Sequence, residues 1–213
     1  RPDVTFSRRR AGRCGRDPHP GGRWVLVDGG PAGARADAGR RVVAPFLERG
    51  GARRVAAAIV SHAHADHLGG VPAVLGRVPA GLVIEPGAPV ADAPYLAFLD
   101  QLAAGGIAWH PGRRGDCFVL DGVRFAILHP EPGWAGGGED VNEDSVVLLV
   151  EYGDFQALFA GDAGFPAEEV LAGRTGPVDL LKVGHHGSRG STGDGWLDRL
   201  EPAVAVISVG RDD

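Results

Sequence analysis

Apolar residues in this chain come in short runs separated by Gly, Pro, Asp and Asn, and the period inside each run predicts alternating strands and helices. Trp24–Val27 reads as a strand that runs into the turn Asp28-Gly29-Gly30-Pro31. Val42–Glu48 has helical spacing and stops at Gly50-Gly51. Val55–Val60 reads as a buried strand, Leu68–Leu75 as a short helix, Leu82–Ile84 as a strand, Pro94–Ala104 as a helix and Ile107–Trp109 as a strand. Cys117–Leu120 and Val123–Leu128 flank Asp121-Gly122, a strong two-residue hairpin signal. A second hairpin is predicted from Ser145–Tyr152, Gly153-Asp154 and Phe155–Ala160. Ala167–Ala172 reads as helix, Val178–Val183 as strand, Trp196–Leu200 as helix and Ala203–Ser208 as strand. Hairpins with interleaved helices predict an α/β fold of two sheets packed face to face, with helices outside.

Length and composition fit that reading. A chain of 213 residues, 44% apolar and 23% charged, can bury a full core as a single α/β domain. The 35 Gly and 16 Pro fall in turns between the apolar runs, so no segment is low-complexity and no short repeat appears. No run approaches the roughly eighteen apolar residues of a membrane span, and no signal peptide is evident. Two cysteines, Cys14 and Cys117, make no disulfide framework and no C-x-x-C. The chain starts at Arg1, contains no Met and stops at Asp213 just after a strand-like run. It is therefore expected to be an interior fragment of a longer protein.

The candidate chemistry is concentrated in His62-Ala63-His64-Ala65-Asp66-His67, directly after the buried strand Val55–Val60. Three imidazoles and a carboxylate at the C-terminal end of a strand suit Zn²⁺ or a similar divalent ion, and alternate ligands can serve two ions. Further polar residues also fall at strand ends. His129 follows Leu128, Asp162 follows Ala160-Gly161, and His185-His186-Gly187-Ser188 follow Val183-Gly184. Singly, a Gly-Asp is a turn and a strand-end His a hydrogen-bonded structural residue. Together downstream of H-x-H-x-D-H they read as metal donors, because buried charges persist when paired or metal-bound.

These motifs resemble the metallo-β-lactamase superfamily, which implies a four-layer αβ/βα sandwich of two mixed sheets carrying one or two metals at the sheet edge. Asp28-Gly-Gly-Pro31, Leu128-His-Pro130, Asn142-Glu-Asp-Ser-Val-Val147, Gly161-Asp-Ala163, Leu181-Lys-Val-Gly-His-His-Gly-Ser188 and Ile207-Ser-Val-Gly210 look like the C-terminal domain of ComEC-type DNA-internalisation (competence) proteins. The resemblance covers roughly residues 20 to 213. Two departures stand out. Where that family's first strand carries Leu-Asp-Val-Gly-Gln-Gly-Asp-Ala, this chain has the Arg-rich stretch Ser7–Pro20. Removing one nucleotide after a Phe6 codon TTC can restore that motif, so residues 7–19 are expected to be either a frame-shifted reading or a genuine basic loop. The family also continues past the S-V-G strand to an aromatic-Gly-His-Pro segment, which does not occur before Asp213.

The resemblance implies metal-assisted hydrolysis with two divalent ions, Zn or Mn. Ions about 3.5–4 Å apart lower the pKa of a shared water to about 7 and stabilise charge on a phosphoryl oxygen. The expected metal ligands are His62, His64 and His129 for one ion, Asp66 and His67 for the second, and Asp162 between them. His185 or His186 completes the site or donates a hydrogen bond to substrate, with Asp66 and His186 as catalytic residues. Gly187 and Ser188 cradle phosphate or simply form a turn. A net charge of −5 means the overall field does not hold nucleic acid, so DNA contact would come from the metals and local residues such as Arg189.

Three functional readings remain open. The first is a phosphodiesterase or nuclease domain of a DNA-uptake protein, a soluble part of a bacterial inner-membrane protein with single-stranded or duplex DNA as partner. The second is a free-standing metallo-hydrolase of a small ester, lactone or phosphodiester. The third is a metal-binding structural domain without turnover. No protein partner is evident.

Overall fold

The computed structural model describes residues 15–16, 24–33, 36–136 and 140–209. The Arg-rich stretch 7–19 therefore lies outside the described residues except for Gly15–Arg16 (β1), a two-residue strand. The described residues group into two compact units, one over 24–111 and one over 112–209 together with β1.

The first unit is built on β2 (Val25–Val27), β3 (Val55–Ile59), β4 (Ala80–Glu85) and β5 (Ala108–Pro111). They lie side by side in chain order, and every pair is parallel. This sheet is not mixed, contrary to the expectation for both sheets. The reason is in the connections, because each strand returns through helix, as parallel pairing requires. A π-helical turn, Gly39–Val43, leads into α1 (Ala44–Arg49) between β2 and β3. α2 (Ala65–Leu68) and α3 (Val71–Leu75) connect β3 to β4, and α4 (Ala93–Gly105) connects β4 to β5. Helix α4 starts where the Asp92 carboxylate accepts from the Tyr95 amide and stops at Gly106 in the left-handed region. Strand β4 is buried along its whole length, as its unbroken Leu-Val-Ile run requires. Phe98 and Leu102 of α4, Val74 and Leu75 of α3, and Leu47 of α1 pack with Val55 and Val83 of the sheet. Each of the larger side chains contributes about 1.5–3 kcal/mol of burial.

The second unit carries β6 (Cys117–Leu120), β7 (Val123–His129), β8 (Val147–Tyr152), β9 (Phe155–Phe159), β10 (Leu180–Lys182) and β11 (Val204–Val206). Its sheet runs β1-β6-β7-β8-β9-β10-β11. The middle of it, β6 to β9, is antiparallel, while β1–β6, β9–β10 and β10–β11 are parallel. The predicted Asp121-Gly122 turn has both residues at positive φ, as a two-residue hairpin with right-handed strand twist demands. α5 (Phe165–Leu171) and α6 (Asp194–Leu200) make the two parallel returns. Leu158, Leu171, Leu181, Trp196 and Leu200 form the core of this unit. No helix among the described residues is long and apolar enough to cross a membrane.

Candidate metal centre

The first unit gathers the H-x-H-x-D-H residues where β3 ends. His62 is fully buried, His64 is the non-helical residue preceding α2, and Asp66 and His67 lie within α2 itself. The short helix turns Asp66 outward and His67 inward, so the motif is two donors on an extended loop followed by two on a helical turn. The expected helix from Leu68 to Leu75 is thus two helices, and the first already contains the donors.

Asp28, at the end of β2, orients these imidazoles. Its Oδ1 accepts from the Ser61 amide at 2.7 Å, and its Oδ2 accepts from Ser61 Oγ at 2.9 Å. His67 Nδ1 lies 2.8 Å from the same Oδ2. An ionised carboxylate only accepts, so His67 carries a proton on Nδ1, and in the neutral ring that a metal requires Nε2 is the acceptor. Ser61 Oγ spends its proton on Asp28 and stands 3.0 Å from His62 Nδ1, which therefore donates to it. His62 accordingly also presents Nε2. This is the carboxylate support that metal-binding histidines commonly have. Burial acts to raise the Asp28 carboxyl, but the hydrogen bond and charge of His67, with the bonds from Ser61, outweigh it. Its pKa ends below the ordinary 3.8.

The geometry fits a metal. His62 Nε2 and His64 Nδ1 are 3.0 Å apart. Two nitrogens at 2.0–2.1 Å from a tetrahedral zinc stand about 3.3 Å apart, close to this spacing. Asp66 Oδ2 lies 3.8 Å from His67 Nε2, the nitrogen turned away from Asp28. The loop carrying Asp28 can come this close because of glycines. A Cβ on Gly70 would fall 2.1 Å from the Gly29 carbonyl oxygen, and one on Gly29 would fall 2.4 Å from the Val71 amide. The backbone bonds Gly29 N–His67 O and Gly70 N–Gly30 O, both 2.8 Å, lock that contact.

The second unit brings Asp162 and His186 together. Asp162 is buried, its amide donates to Ser145 Oγ at 3.0 Å, and its Oδ2 lies 3.6 Å from His186 Nε2. His185 and His186 both adopt left-handed backbone, with φ of 46° and 54°. That conformation turns the second ring back toward the strand ends. His186 Nδ1 is 2.7 Å from the Ser208 carbonyl, so it donates there and leaves Nε2 on the Asp162 side. His185 uses its amide, which donates to the Gly161 carbonyl at 3.1 Å. Of the adjacent pair, His186 is the one whose ring faces the carboxylate.

His129 is placed differently. It is buried, its Nε2 stands 2.9 Å from the Glu143 carbonyl, and its ring packs edge-on against Trp134. Donation from Nε2 leaves Nδ1 as an acceptor, and that atom is buried without a hydrogen-bond partner. Burial holds its pKa below 6.5, against the raising effect of the Glu143 carbonyl and nearby acids. Its ligand atom does not group with those of Asp162 and His186. Gly187 and Ser188 form an exposed turn, in which the Ser188 amide donates to the His185 carbonyl at 2.8 Å.

A model of the metallo-β-lactamase superfamily matches residues 19–211. The chain belongs to this superfamily. Its α/β fold of two sheets with helices is the metallo-β-lactamase fold. A metallo-β-lactamase from Cronobacter sakazakii with an HARLDQ motif shares the fold at TM-score 0.50 and 18% identity, covering 78% of this chain and 64% of its own. The sequence is also similar to ComE operon protein 3 of Bacillus subtilis, 29% identical over 92% of this chain and 26% of the relative. Recombination protein 2 of Haemophilus influenzae is 32% identical over 89% and 22%, and competence protein ComA of Neisseria gonorrhoeae 31% over 88% and 24%. The metallo-β-lactamase domain described here thus spans about a quarter of these ComEC-type competence relatives.

Proposed function

We propose that this domain is a metal-dependent phosphodiesterase or nuclease serving DNA uptake in a ComEC-type protein. It would act as a soluble part of a larger inner-membrane protein. The observation that carries the reading is the orientation of His62 and His67, both held through Nδ1. Asp28 and Ser61 engage Nδ1 of both rings, so each ring turns Nε2 toward another candidate donor, His62 toward His64 Nδ1 at 3.0 Å and His67 toward Asp66 Oδ2 at 3.8 Å. Similarity to competence proteins over about nine-tenths of the chain supports DNA as the substrate class.

In this proposal His62, His64, Asp66, His67, Asp162 and His186 hold two divalent ions, Zn or Mn. His129 and His185 remain candidate donors from the sequence pattern. When bound, such ions supply Lewis acidity and an activated water at neutral pH. Asp66, exposed at the start of α2, positions the attacking water and takes its proton. Water adds to phosphorus, the bond to the leaving ester oxygen breaks, and that oxygen takes up the proton that Asp66 removed from the water. His186 is fixed by the Ser208 carbonyl, which sets Nε2 to hold the ion that would bind the reacting phosphoryl group. Gly187 and Ser188, exposed beside it, contact phosphate.

The test is cleavage of single-stranded and duplex DNA in the presence of Mn²⁺ or Zn²⁺. The wild-type domain should cut, and Asp66→Asn should lose on the order of a hundredfold or more in rate with little loss of stability. Equal rates in both proteins contradict the assignment. Cleavage of small diesters but never of DNA favours a free-standing metallo-hydrolase.

A further inference from the structure

Between β7 and β8 the chain makes a tight 3₁₀ turn, Val141–Asp144, whose residues are tied to the loop that carries Asp162. Ser145 Oγ, fully buried, accepts from the Asp162 amide at 3.0 Å. Glu143 Oε1 accepts from the Gly164 amide at 3.1 Å, and a Cβ on Gly164 would fall 2.5 Å from that oxygen. The turn and the Gly161–Gly164 loop are thus fastened at two points, one on either side of Ala163. Asn142 sits on this turn. Its amide donates to Asp140 Oδ1 at 3.0 Å, and its carbonyl accepts from the Ser145 amide at 3.0 Å. Its backbone is therefore satisfied. Its side-chain oxygen is not, because Oδ1 is buried and has no hydrogen-bond partner.

A buried amide oxygen without a donor is costly and is kept where something else satisfies it. The amide oxygen of Asn is a neutral, hard donor of the kind that divalent cations such as Mn²⁺ accept. We propose that Asn142 Oδ1 is a further ligand of the divalent ion that Asp162 holds. This rests on the metal-hydrolase reading above. The turn brings the oxygen, Ser145 and Glu143 hold the turn against the Asp162 loop, and the cation supplies the missing partner. The residue pattern marks Asn142 only as the first residue of Asn142-Glu-Asp-Ser-Val-Val147 and not as a metal donor, because an Asn in a polar turn ordinarily satisfies local backbone.

The test is titration of the full chain with Mn²⁺ alone by calorimetry, together with absorption of the Co²⁺-loaded protein. Proteins compared are wild type, Asn142→Leu, Asn142→Asp and Asp162→Ala. Melting of each metal-free protein controls for folding. Asn142→Leu should weaken Mn²⁺ binding about tenfold or more and change the Co²⁺ spectrum. Asn142→Asp, which restores an oxygen donor, should recover most of the affinity, a rescue that a purely structural role would not produce. If Asp162→Ala abolishes binding while Asn142→Leu binds Mn²⁺ as tightly as wild type, Asn142 is not a ligand and the metal reading stands. If wild type itself binds no divalent ion, both fall.

Discussion

Replacing Asp28 with Asn probes the support of the histidines while leaving every expected ligand in place. The backbone tolerates the change well, because Asp28 has φ of 56° and Asn is among the residues that most readily adopt left-handed conformation. The side chain keeps its shape and can keep one acceptor for the Ser61 amide, now 2.7 Å from Oδ1. What it loses is the acceptor that serves both Ser61 Oγ at 2.9 Å and His67 Nδ1 at 2.8 Å. An NH₂ there confronts two donors, so Ser61 turns away and His67 moves its proton to Nε2, the atom meant for metal. Hydrogen bonds to charged groups contribute about 1.5–3 kcal/mol, so fold stability should drop by about that amount. Loss of the carboxylate behind a metal-binding His costs about 10–100-fold in metal affinity, or roughly 1.4–2.7 kcal/mol. Calorimetric titration with Zn²⁺ reads the second figure and urea unfolding of the metal-free protein the first. The acid side carries a sign. The Asp28 pKa lies below 3.8, so its stabilisation is complete above that value and is lost as pH falls through the lower folded pKa. The Asp28→Asn protein should lack that component of acid sensitivity. Wild-type metal affinity in a folded Asp28→Asn protein would refute the reasoning.

Two further outcomes are expected. Gly70→Ala should disrupt the site more than its size suggests, because the new Cβ meets the Gly29 carbonyl oxygen at 2.1 Å and must push the Asp28 loop away; metal affinity should fall together with the melting temperature, and an unchanged melt would contradict the close approach. Glu168, buried and accepting from the Thr192 and Gly193 amides, has its pKa raised above 4.5 by burial, opposed by those two hydrogen bonds. The folded state therefore holds that proton longer, and wild-type stability falls as pH rises from 4.5 through the folded value. Glu168→Gln should flatten that slope in urea titrations, and an identical slope would exclude Glu168 as its source.

The elements were legible because their signals are local. The Asp121-Gly122 hairpin, the Asp92 start of α4 and the buried run of β4 each depend on neighbours in sequence. So does the placement of His62, His64, Asp66 and His67 in one loop and one helical turn. The rest depends on contacts made at a distance. Asp28 reads as a turn residue, and its role appears only because Ser61 and His67, 33 and 39 positions away, converge on it. His185 and His186 are indistinguishable in sequence. Two consecutive left-handed residues and a carbonyl 22 positions on, at Ser208, decide which ring meets Asp162. His129 looks like a donor beside the others, and only the Glu143 carbonyl that engages its Nε2 shows that Nδ1 is the atom it has left for that role. The wholly parallel first sheet follows from helical returns between its strands, while both hairpins lie in the second unit.

Metal content measures the central claim most directly. Wild-type chain loaded with Zn²⁺ or Mn²⁺, dialysed and analysed for metal should retain about one to two equivalents, as a mono- or two-metal hydrolase site requires. A double substitution, His62→Ala with Asp162→Ala, should lose most of that metal while keeping the circular dichroism of a folded α/β protein. Unchanged stoichiometry in the double variant would contradict the account.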